Sequence, residues 1–234
     1  MMAPPLLWAE SIPALNIVNV NDEGTEYSLT LQLLLLMTVL SLLPSIVILM
    51  TSFTRIIIVL SLLRQALGTA QTPPNQVLIG IALFLSLFVM QPVLTQIYNE
   101  AFLPVQDGKI SFEQGLDVAR KPVQQFMVSQ TREKDILMFM EMGNEPPVDD
   151  LQDIPLTVLM PAFITSELKT AFTIGFLIYI PFIIIDLVVA SVLMSMGMMM
   201  LSPMMISLPF KLLLFVLVDG WGLVTSSLIS TFLI

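Results

Sequence analysis

The apolar stretch from Pro161 to Met200 constrains the fold of this chain more than any other feature. A helix over Ala171 to Met200 would extend about 45 Å at about 1.5 Å per residue, whereas the hydrocarbon core of a bilayer is about 30 Å thick. The segment must therefore break, tilt or protrude. Pro181 removes one helical hydrogen bond, so we expect a kink there. Asp186 also interrupts the run, and an ionised carboxylate is costly there unless it faces protein, a cation or water.

Composition places the chain among membrane proteins. Of its 234 residues, 56% are hydrophobic and only 12% are charged, which is far more apolar than the average globular domain. The sequence contains no cysteine and no histidine. Disulfides, thiolate nucleophiles, zinc sites built on these ligands and the usual general base are therefore excluded. We predict that the protein uses no metal or cofactor.

Acidic residues are concentrated in two polar segments. Residues 1–28 carry four acids and no base, and residues 99–160 carry eleven acids and five bases. Bases favour the cytoplasmic side, a tail without them is easily translocated, and a segment of about 60 residues can cross despite its charges. We therefore expect both segments to face the periplasm. Residues 1–9 resemble the end of a signal peptide with cleavage after Ala9, and a disordered tail is the alternative.

The chain is predicted to be all-α, with membrane-associated helical hairpins and a periplasm-facing helical insert. The predicted segments are an N-terminal periplasmic tail (1–28, with 1–9 as a possible signal-peptide remnant), a first hydrophobic hairpin (29–98), a periplasmic helical segment (99–160) and a second hydrophobic hairpin with a Met-rich loop (161–234). Three further apolar runs are candidate spans, namely Leu29–Met50, Val77–Ile97 and Phe210–Ile234.

The periplasmic segment contains local helix signals. Ser111 with Gln114 forms a capping box that predicts a helix running toward Arg120. A second helix is predicted from Val123 to about Met142, where glycine and asparagine follow. So short a segment buries little core alone, so we expect a helical pair packed against a partner.

Acids within the apolar segments need partners. Glu167 and Lys169 lie two residues apart, so on a helix they point to different faces and do not pair with each other.

If the second hairpin turns near Pro203, Asp219 folds back to the depth of Asp186. Two such acids indicate a proton relay, a cation site or contacts with bases of other subunits. We favour contacts with other subunits over capping by backbone or hydroxyl donors. Few bases lie within these segments, namely Arg55, Lys169 and Lys211.

Three consecutive methionines, Met198, Met199 and Met200, follow Gly197. Methionines in apolar helices usually fill space in a protein core. Methionine is also flexible, however, and conforms to surfaces of varied shape. Three in succession point around a helix rather than along one side, so they suit a loop or a helix end. Loops of this kind from several subunits would form a soft, apolar constriction.

The apolar segments resemble the FliP family of flagellar biosynthesis proteins, which are subunits of the type III export gate. The resemblance covers nearly the whole hydrophobic part of the chain. It rests on Met50–Arg55, Thr72–Gln76, Pro161–Phe163, Ser166–Phe172, Ile180–Phe182, Asp186, Gly197–Met200, Leu208–Lys211 and Val218–Trp221.

The resemblance implies a channel for unfolded flagellar proteins in the bacterial inner membrane and flagellar basal body, with the gate raised toward the periplasm. It also implies that the protein is not an enzyme. The implied partners are a FliP homo-oligomer, as a pentamer, with FliQ, FliR, FlhB and FlhA, and no nucleic acid. The three methionines would match the gasket that seals the channel. Arg55 would be a buried, partnered cation, helped by the hydroxyls of Thr51, Ser52 and Thr54, rather than a residue that snorkels to the interface.

Two other classes of function are weighed against this one. A proton-coupled transporter or channel would use Asp186, Asp219 and Glu167 as carriers. An intramembrane hydrolase is disfavoured because the chain has no histidine, no cysteine and no paired aspartate motif.

Overall fold

A computed structural model describes residues 29–69, 71–146, 154–198 and 200–232. The regular structure in these ranges is helical, and they contain no strand. The described residues fall into two compact units that divide between Val47 and Ile48. The predicted tail with its signal-peptide remnant, residues 147–153 and Met199 lie outside the described residues.

Helix α1 spans Leu29–Leu49, carries no charged residue and contains Pro44. The helices that follow are α2 (Phe53–Ala66), α3 (Asn75–Ile97), a π-helical turn (Tyr98–Phe102), α4 (Leu103–Gln106), α5 (Phe112–Gln130), α6 (Glu133–Met142), α7 (Leu156–Ser195), α8 (Pro203–Leu217) and α9 (Gly220–Ser230).

Helix α7 contributes to three successive hydrophobic clusters along the second unit. Near its start, Leu159 and Phe163 are fully buried against α5 and α6. Ala171 belongs to a cluster with α2, α3 and the end of α9. Further along, Phe182 packs with the end of α2 and with Phe215 of α8. A single long helix therefore joins the polar helical segment to both apolar hairpins.

Helix α2 is the most enclosed of these elements. Its residues Ile56, Val59, Leu60 and Leu63 are all fully buried. Burying a branched aliphatic side chain contributes roughly 1.5–3 kcal/mol, so this run stabilises the fold strongly. The contact with α7 is close at Gly175, because a Cβ built there would lie 2.2 Å from Cδ1 of Leu62.

The capping box at the start of α5 is confirmed. The Ser111 hydroxyl accepts from the backbone N–H of Gln114, and the Gln114 side chain accepts from the backbone N–H of Ser111. The predicted helix from Val123 to Met142 is wrong, because the chain breaks after Gln130. Arg132 has extended backbone angles, and its N–H donates to Ser166 Oγ of α7 at 3.1 Å. A bond across 34 residues thus replaces a helical one at the break.

Two helices are long and apolar enough to cross a membrane, judged by length and composition among the described residues. They are the helix over Asn75–Gln106, which includes the π-helical turn and α4, and α7. Two pairs pass the same test only together, namely Leu33–Leu49 with α2, and α8 with α9, which meet at 64°. The described chain therefore has between two and four candidate spans.

Helix α7 is continuous through Pro161 and Pro181, so a break at Pro181 is not observed. A proline removes only one helical hydrogen bond. Ile178 and Tyr179 before Pro181 and Phe182 after it pack in the same hydrophobic cluster. At about 1.5 Å per residue its 40 residues extend about 60 Å, twice the hydrocarbon thickness. The expected consequence therefore stands: α7 must tilt steeply or protrude from a bilayer.

Candidate charge-pair and loop site

Arg55 of α2 and Glu167 of α7 form a buried ion pair. Arg55 is 3% exposed and Glu167 is fully buried. Nε of Arg55 donates to Oε2 of Glu167 at 2.9 Å, and an Nη donates to Oε1. This two-pronged geometry matches the planar guanidinium to the carboxylate and is among the stronger hydrogen-bonding arrangements in proteins.

The remaining donors of Arg55 reach two further helices. Nη1 donates to the backbone oxygen of Thr231 at 3.3 Å and to its hydroxyl at 3.1 Å. Nη2 donates to Oε1 of Gln130 at the end of α5, at 3.2 Å. The guanidinium carbon also lies 3.8 Å from the centre of the Phe232 ring, which is a cation–π distance. One side chain thus joins α2, α5, α7 and the end of α9.

The hydroxyls expected to assist Arg55 do something else. Ser52 donates to Ser86 of α3 at 3.1 Å, and Ser86 donates to Thr51 at 3.3 Å. Thr54 Oγ1 is buried and has no hydrogen-bond partner among the described residues. The expectation was wrong because Glu167, Thr231 and Gln130 already occupy the donors of the guanidinium. The hydroxyls of Thr51 and Ser52 instead connect the start of α2 to α3 through Ser86.

Asp186 of α7 and Lys211 of α8 form a second ion pair. Nζ of Lys211 lies 2.6 Å from Oδ2 of Asp186 and 3.2 Å from the backbone oxygen of Ala66. Ser207 donates to the other carboxylate oxygen of Asp186. Ala66 is the last residue of α2, where carbonyls lack helical partners and the helix dipole favours a cation. Lys211 therefore holds α7, α8 and the end of α2 together.

Asp186 has a basic partner within its own chain, which the sequence interpretation did not assign to it. Lys211 neutralises it, and Ser207 completes the site. Contacts of the buried acids with bases of other subunits stay a prediction, and no hydrogen bond or ion pair joins Asp186 to Asp219 among the described residues. Asp219 is exposed, begins α9 with a left-handed φ of 50°, and makes no side-chain cap hydrogen bond.

Glu167 and Lys169 point to different faces of α7, as their spacing predicts. Glu167 faces Arg55 in the interior, whereas Lys169 is exposed. Lys169 makes no side-chain hydrogen bond or ion pair with any residue that the structure describes. Of the six charged residues singled out from the sequence, four pair within the chain, and Lys169 and Asp219 do not.

The methionine run lies in the connection between α7 and α8. Gly197 has a φ of +73°, which a side chain would strain, and it turns the chain out of α7. Met198 donates its N–H to the oxygen of Leu193 at 3.0 Å. Met198 is 43% exposed and Met200 is fully exposed. The location of these two residues at a helix end agrees with the expectation from the sequence.

The arms of the α7–α8 hairpin flank an apolar groove of about 500 Å³. Its lining includes Val188 and Val192 of α7 with Ile206 and Phe210 of α8. The groove extends from the level of the Asp186–Lys211 pair toward the methionine loop, since its lining on α7 runs from Ile184 to Leu193. The two helices are therefore connected by the Asp186–Lys211 ion pair and by the methionine loop, and apolar side chains line the groove between the helices.

No group of three or more carboxylates that could hold a metal ion occurs among the described residues. Within this part of the chain, Glu167 is engaged by Arg55 alone, whereas Asp186 is engaged by Lys211 and by the hydroxyl of Ser207. The arrangement is suited to holding helices in place.

Sequence reasoning missed four participants in these sites: Gln130, Ser207, Thr231 and Phe232. Ser207 lies four residues before Lys211, so the two share a helix face, and that spacing was a usable signal. Thr231 and Phe232 lie 176 and 177 residues from Arg55, and no local pattern links them.

The FliP family model matches residues 36–228 of the chain. The chain is 56% identical over 218 residues to the flagellar biosynthetic protein FliP of Bacillus subtilis, covering 93% of this chain and 98% of that protein. It is 54% identical over 228 residues to the FliP protein of Pectobacterium carotovorum, covering 97% and 88%. With the FliP protein of Caulobacter vibrioides it shares 53% over 222 residues, covering 94% and 83%.

Proposed function

The chain belongs to the FliP family of the flagellar export apparatus, and from this premise we propose that it is a core subunit of the flagellar type III export gate. Several copies would surround a channel through which unfolded flagellar proteins cross the inner membrane. The subunit would catalyse no reaction. The observation that carries the proposal is the family match over residues 36–228, which includes both ion pairs and the methionine loop.

The methionine loop would form the seal of the channel. Met198 and Met200 are exposed at the tip of a hairpin, and an exposed apolar tip is suited to contact other copies of itself. Unbranched thioether side chains conform to one another and to a passing chain of varied shape. An apolar constriction also resists wetting, which would keep ions out between transport events. Met199 would be the third member of this gasket.

The ion pairs would have a structural role in the gate. Each one joins helices of different hairpins within a single subunit, as the contacts of Arg55 and Lys211 indicate. A subunit braced in this way can present its apolar outer surface to neighbours without losing its own shape. The same bracing argues against the proton-carrier alternative, since Glu167 and Asp186 are already engaged.

The assembled gate would be a FliP homo-oligomer, as a pentamer, together with FliQ, FliR, FlhB and FlhA. It would be a multi-pass component of the inner membrane and the flagellar basal body, raised toward the periplasm. The length of α7, about 60 Å, supports this placement, because no bilayer core accommodates it upright. The polar helical segment at 99–160 would face the periplasm.

Complementation with co-purification tests the proposal. The chain, carrying an affinity tag, is expressed in a flagellated bacterium that lacks its own FliP protein, and export of a flagellar hook protein is measured. We expect restored export and recovery of FliQ-like and FliR-like subunits with the tagged chain. Normal membrane insertion without export and without these subunits would overturn the proposal.

A further inference from the structure

Arg64 at the end of α2 makes no ion pair among the described residues, but its guanidinium donates to the backbone oxygen of Pro73 and to Oδ1 of Asn75. Two other charged residues of the apolar hairpins have no ionic partner within the described chain. Lys169 lies on α7 and Asp219 lies between α8 and α9. Arg55, Glu167, Asp186 and Lys211, the other charges singled out in these helices, are paired with one another. The two unpaired residues have opposite signs, and both are exposed.

Lys169 stands in an exposed apolar patch, which we call the Lys169 patch. It consists of Leu168, Lys169, Phe172 and Phe176. Phe172 and Phe176 follow Lys169 by three and seven residues and therefore share its helix face. They are 57% and 63% exposed, although each is a large aromatic side chain. Lys169 is 13 residues from the start of α7, about 20 Å along the helix, so it cannot be counted as a helix-end charge.

Asp219 stands in a second such patch, which we call the Asp219 patch. It consists of Val216, Leu217, Val218, Asp219 and Leu223. Val216 and Leu217 are 75% and 74% exposed. Asp219 has a left-handed φ of 50°, and α8 and α9 meet at 64° on either side of it. Aspartate is one of the few residues besides glycine that tolerate this conformation.

An apolar patch with a single charge at its centre is a poor surface for lipid and a suitable one for a protein partner. The partner must supply apolar contacts and one opposite charge. Each of the two patches supplies what the other requires. Within one chain the two charges do not meet, so a second copy is the partner whose chemistry is already present on the molecule.

We propose that Lys169 of one copy pairs with Asp219 of the next, so that the Lys169 patch and the Asp219 patch form a contact between adjacent copies. This inference rests on the proposed function, because it specifies how copies in the gate contact one another. The two surfaces differ, so the contact is head-to-tail and repeats from copy to copy. A channel needs such a repeat, whereas a two-fold contact would end at a dimer.

Cross-linking with introduced cysteines tests the contact directly. The natural sequence has no cysteine, so every link can be assigned. Leu168→Cys and Val218→Cys place one thiol in each patch and leave Lys169 and Asp219 intact. A short bismaleimide is applied to native membranes, since an ion pair holds its backbones farther apart than a disulfide allows. Chains carrying both cysteines should form a ladder of dimers, trimers and higher species.

Co-expression of the two single-cysteine chains under different tags establishes that the link is between copies. We expect a mixed dimer and no larger species. The matched control replaces Val218→Cys with Met142→Cys, an exposed methionine of α6, and should give no ladder. Links that stop at the dimer in the two-cysteine chain, or an equally strong ladder in the control, would overturn the head-to-tail contact.

Charge reversal tests the ionic part. Lys169→Glu and Asp219→Lys should each reduce the yield of native oligomer by about tenfold or more, because each leaves a like-charge contact. The double variant should recover much of that loss. Lysine at position 219 would be strained by the left-handed backbone, so charge reversal there could act through the fold. Two neutral single variants, Lys169→Gln and Asp219→Asn, avoid this problem because asparagine tolerates that backbone. Each of these neutral variants should also lower the yield. Lys134→Glu, an exposed lysine of α6, is the control and should have no effect.

Two outcomes separate this inference from the proposed function. If the unaltered chain supports export but gives no ladder, or if all the single variants assemble normally, the contact is wrong and the gate function stands. Lys169 would then meet a lipid phosphate or a different subunit. If the unaltered chain fails to support export, the proposed function itself is wrong.

Discussion

At the scale of single residues, Arg55 is the most consequential side chain in the structure. Its partners lie 75, 112 and 176 residues away along the chain, and they come from three other elements. A lysine at the same position would supply one compact charge, which cannot satisfy a carboxylate, an amide and a helix end together. The site therefore requires arginine for its shape as well as for its charge.

Removing one partner of this ion pair should cost much more than removing both. Arg55→Met is expected to lower the free energy of unfolding by roughly 3–5 kcal/mol, because Glu167 is left buried and uncompensated. The double variant Arg55→Met with Glu167→Leu should recover part of the loss, since it leaves no buried charge. The midpoint of denaturation of the purified subunit in detergent measures both. A double variant less stable than Arg55→Met would contradict the uncompensated-charge explanation.

At the scale of elements, sequence patterns predicted what depends on neighbours and missed what depends on distant contacts. The capping box of Ser111 and Gln114 is confirmed because both residues lie within one turn. The break at Thr131 and Arg132 was missed because Ser166, on another helix, accepts the hydrogen bond that decides it. Likewise, burial and partnering of Arg55 were expected, but its partners were misjudged, since the nearby hydroxyls bind Ser86 and no local rule points to Gln130 or Thr231.

The contact between α2 and α7 supplies the prediction at this scale. Gly175→Ala is expected to destabilise the subunit by about 1–3 kcal/mol, because its Cβ would overlap the Leu62 side chain and overpack the contact. Gly80 of α3 is the matched control. A Cβ there meets nothing within 4 Å, so Gly80→Ala should be neutral or stabilising by up to about 1 kcal/mol from helix propensity. The thermal unfolding midpoints of the two variants are compared. Equal shifts of the midpoint would show that α2 and α7 tolerate a wider separation.

At the scale of the whole molecule, large apolar side chains are exposed on helices that also contain polar or bent segments. Phe84, Phe88, Phe176 and Met205 are each more than half exposed. Irregular and charged backbone at membrane depth persists only where protein or water covers it. Neighbouring subunits of the proposed gate would provide that cover.

We therefore expect few of these side chains to contact lipid in the assembled gate. Photoreactive lipid analogues should label Phe84 and Phe176 weakly in the complete complex and more strongly in the subunit expressed alone. The comparison uses one membrane preparation with and without the partner subunits. Equal labelling in both states would mean that the helices stand as separate lipid-facing spans, and the protected arrangement would be wrong.

The seal of the channel gives the last prediction, and it concerns Met198, Met199 and Met200 together. Shortening all three to alanine should widen the constriction and remove contact area, because the exposed side chains of Met198 and Met200 project from a hairpin tip and not from a packed core. The subunit should therefore still fold and assemble, but its gate should conduct ions when closed, since hydrophobic constrictions exclude water only while they are narrow. Leucine at the three positions should keep most of the seal, because it restores apolar volume, with a loss of pliability.

Ionic conductance of gate complexes in planar membranes measures the leak, and recovery of intact complexes confirms assembly. Met138→Ala with Met142→Ala is the control, since both methionines are exposed on α6 and lie outside the loop. The control should assemble and remain closed. If the triple alanine complex assembles and conducts no more than the unaltered one, the three methionines only fill space, and the constriction must be formed by other side chains. A leak in the triple alanine complex, and not in the control, would instead locate the seal at the tip of the α7–α8 hairpin. There the exposed methionines of each copy would contact those of its neighbours.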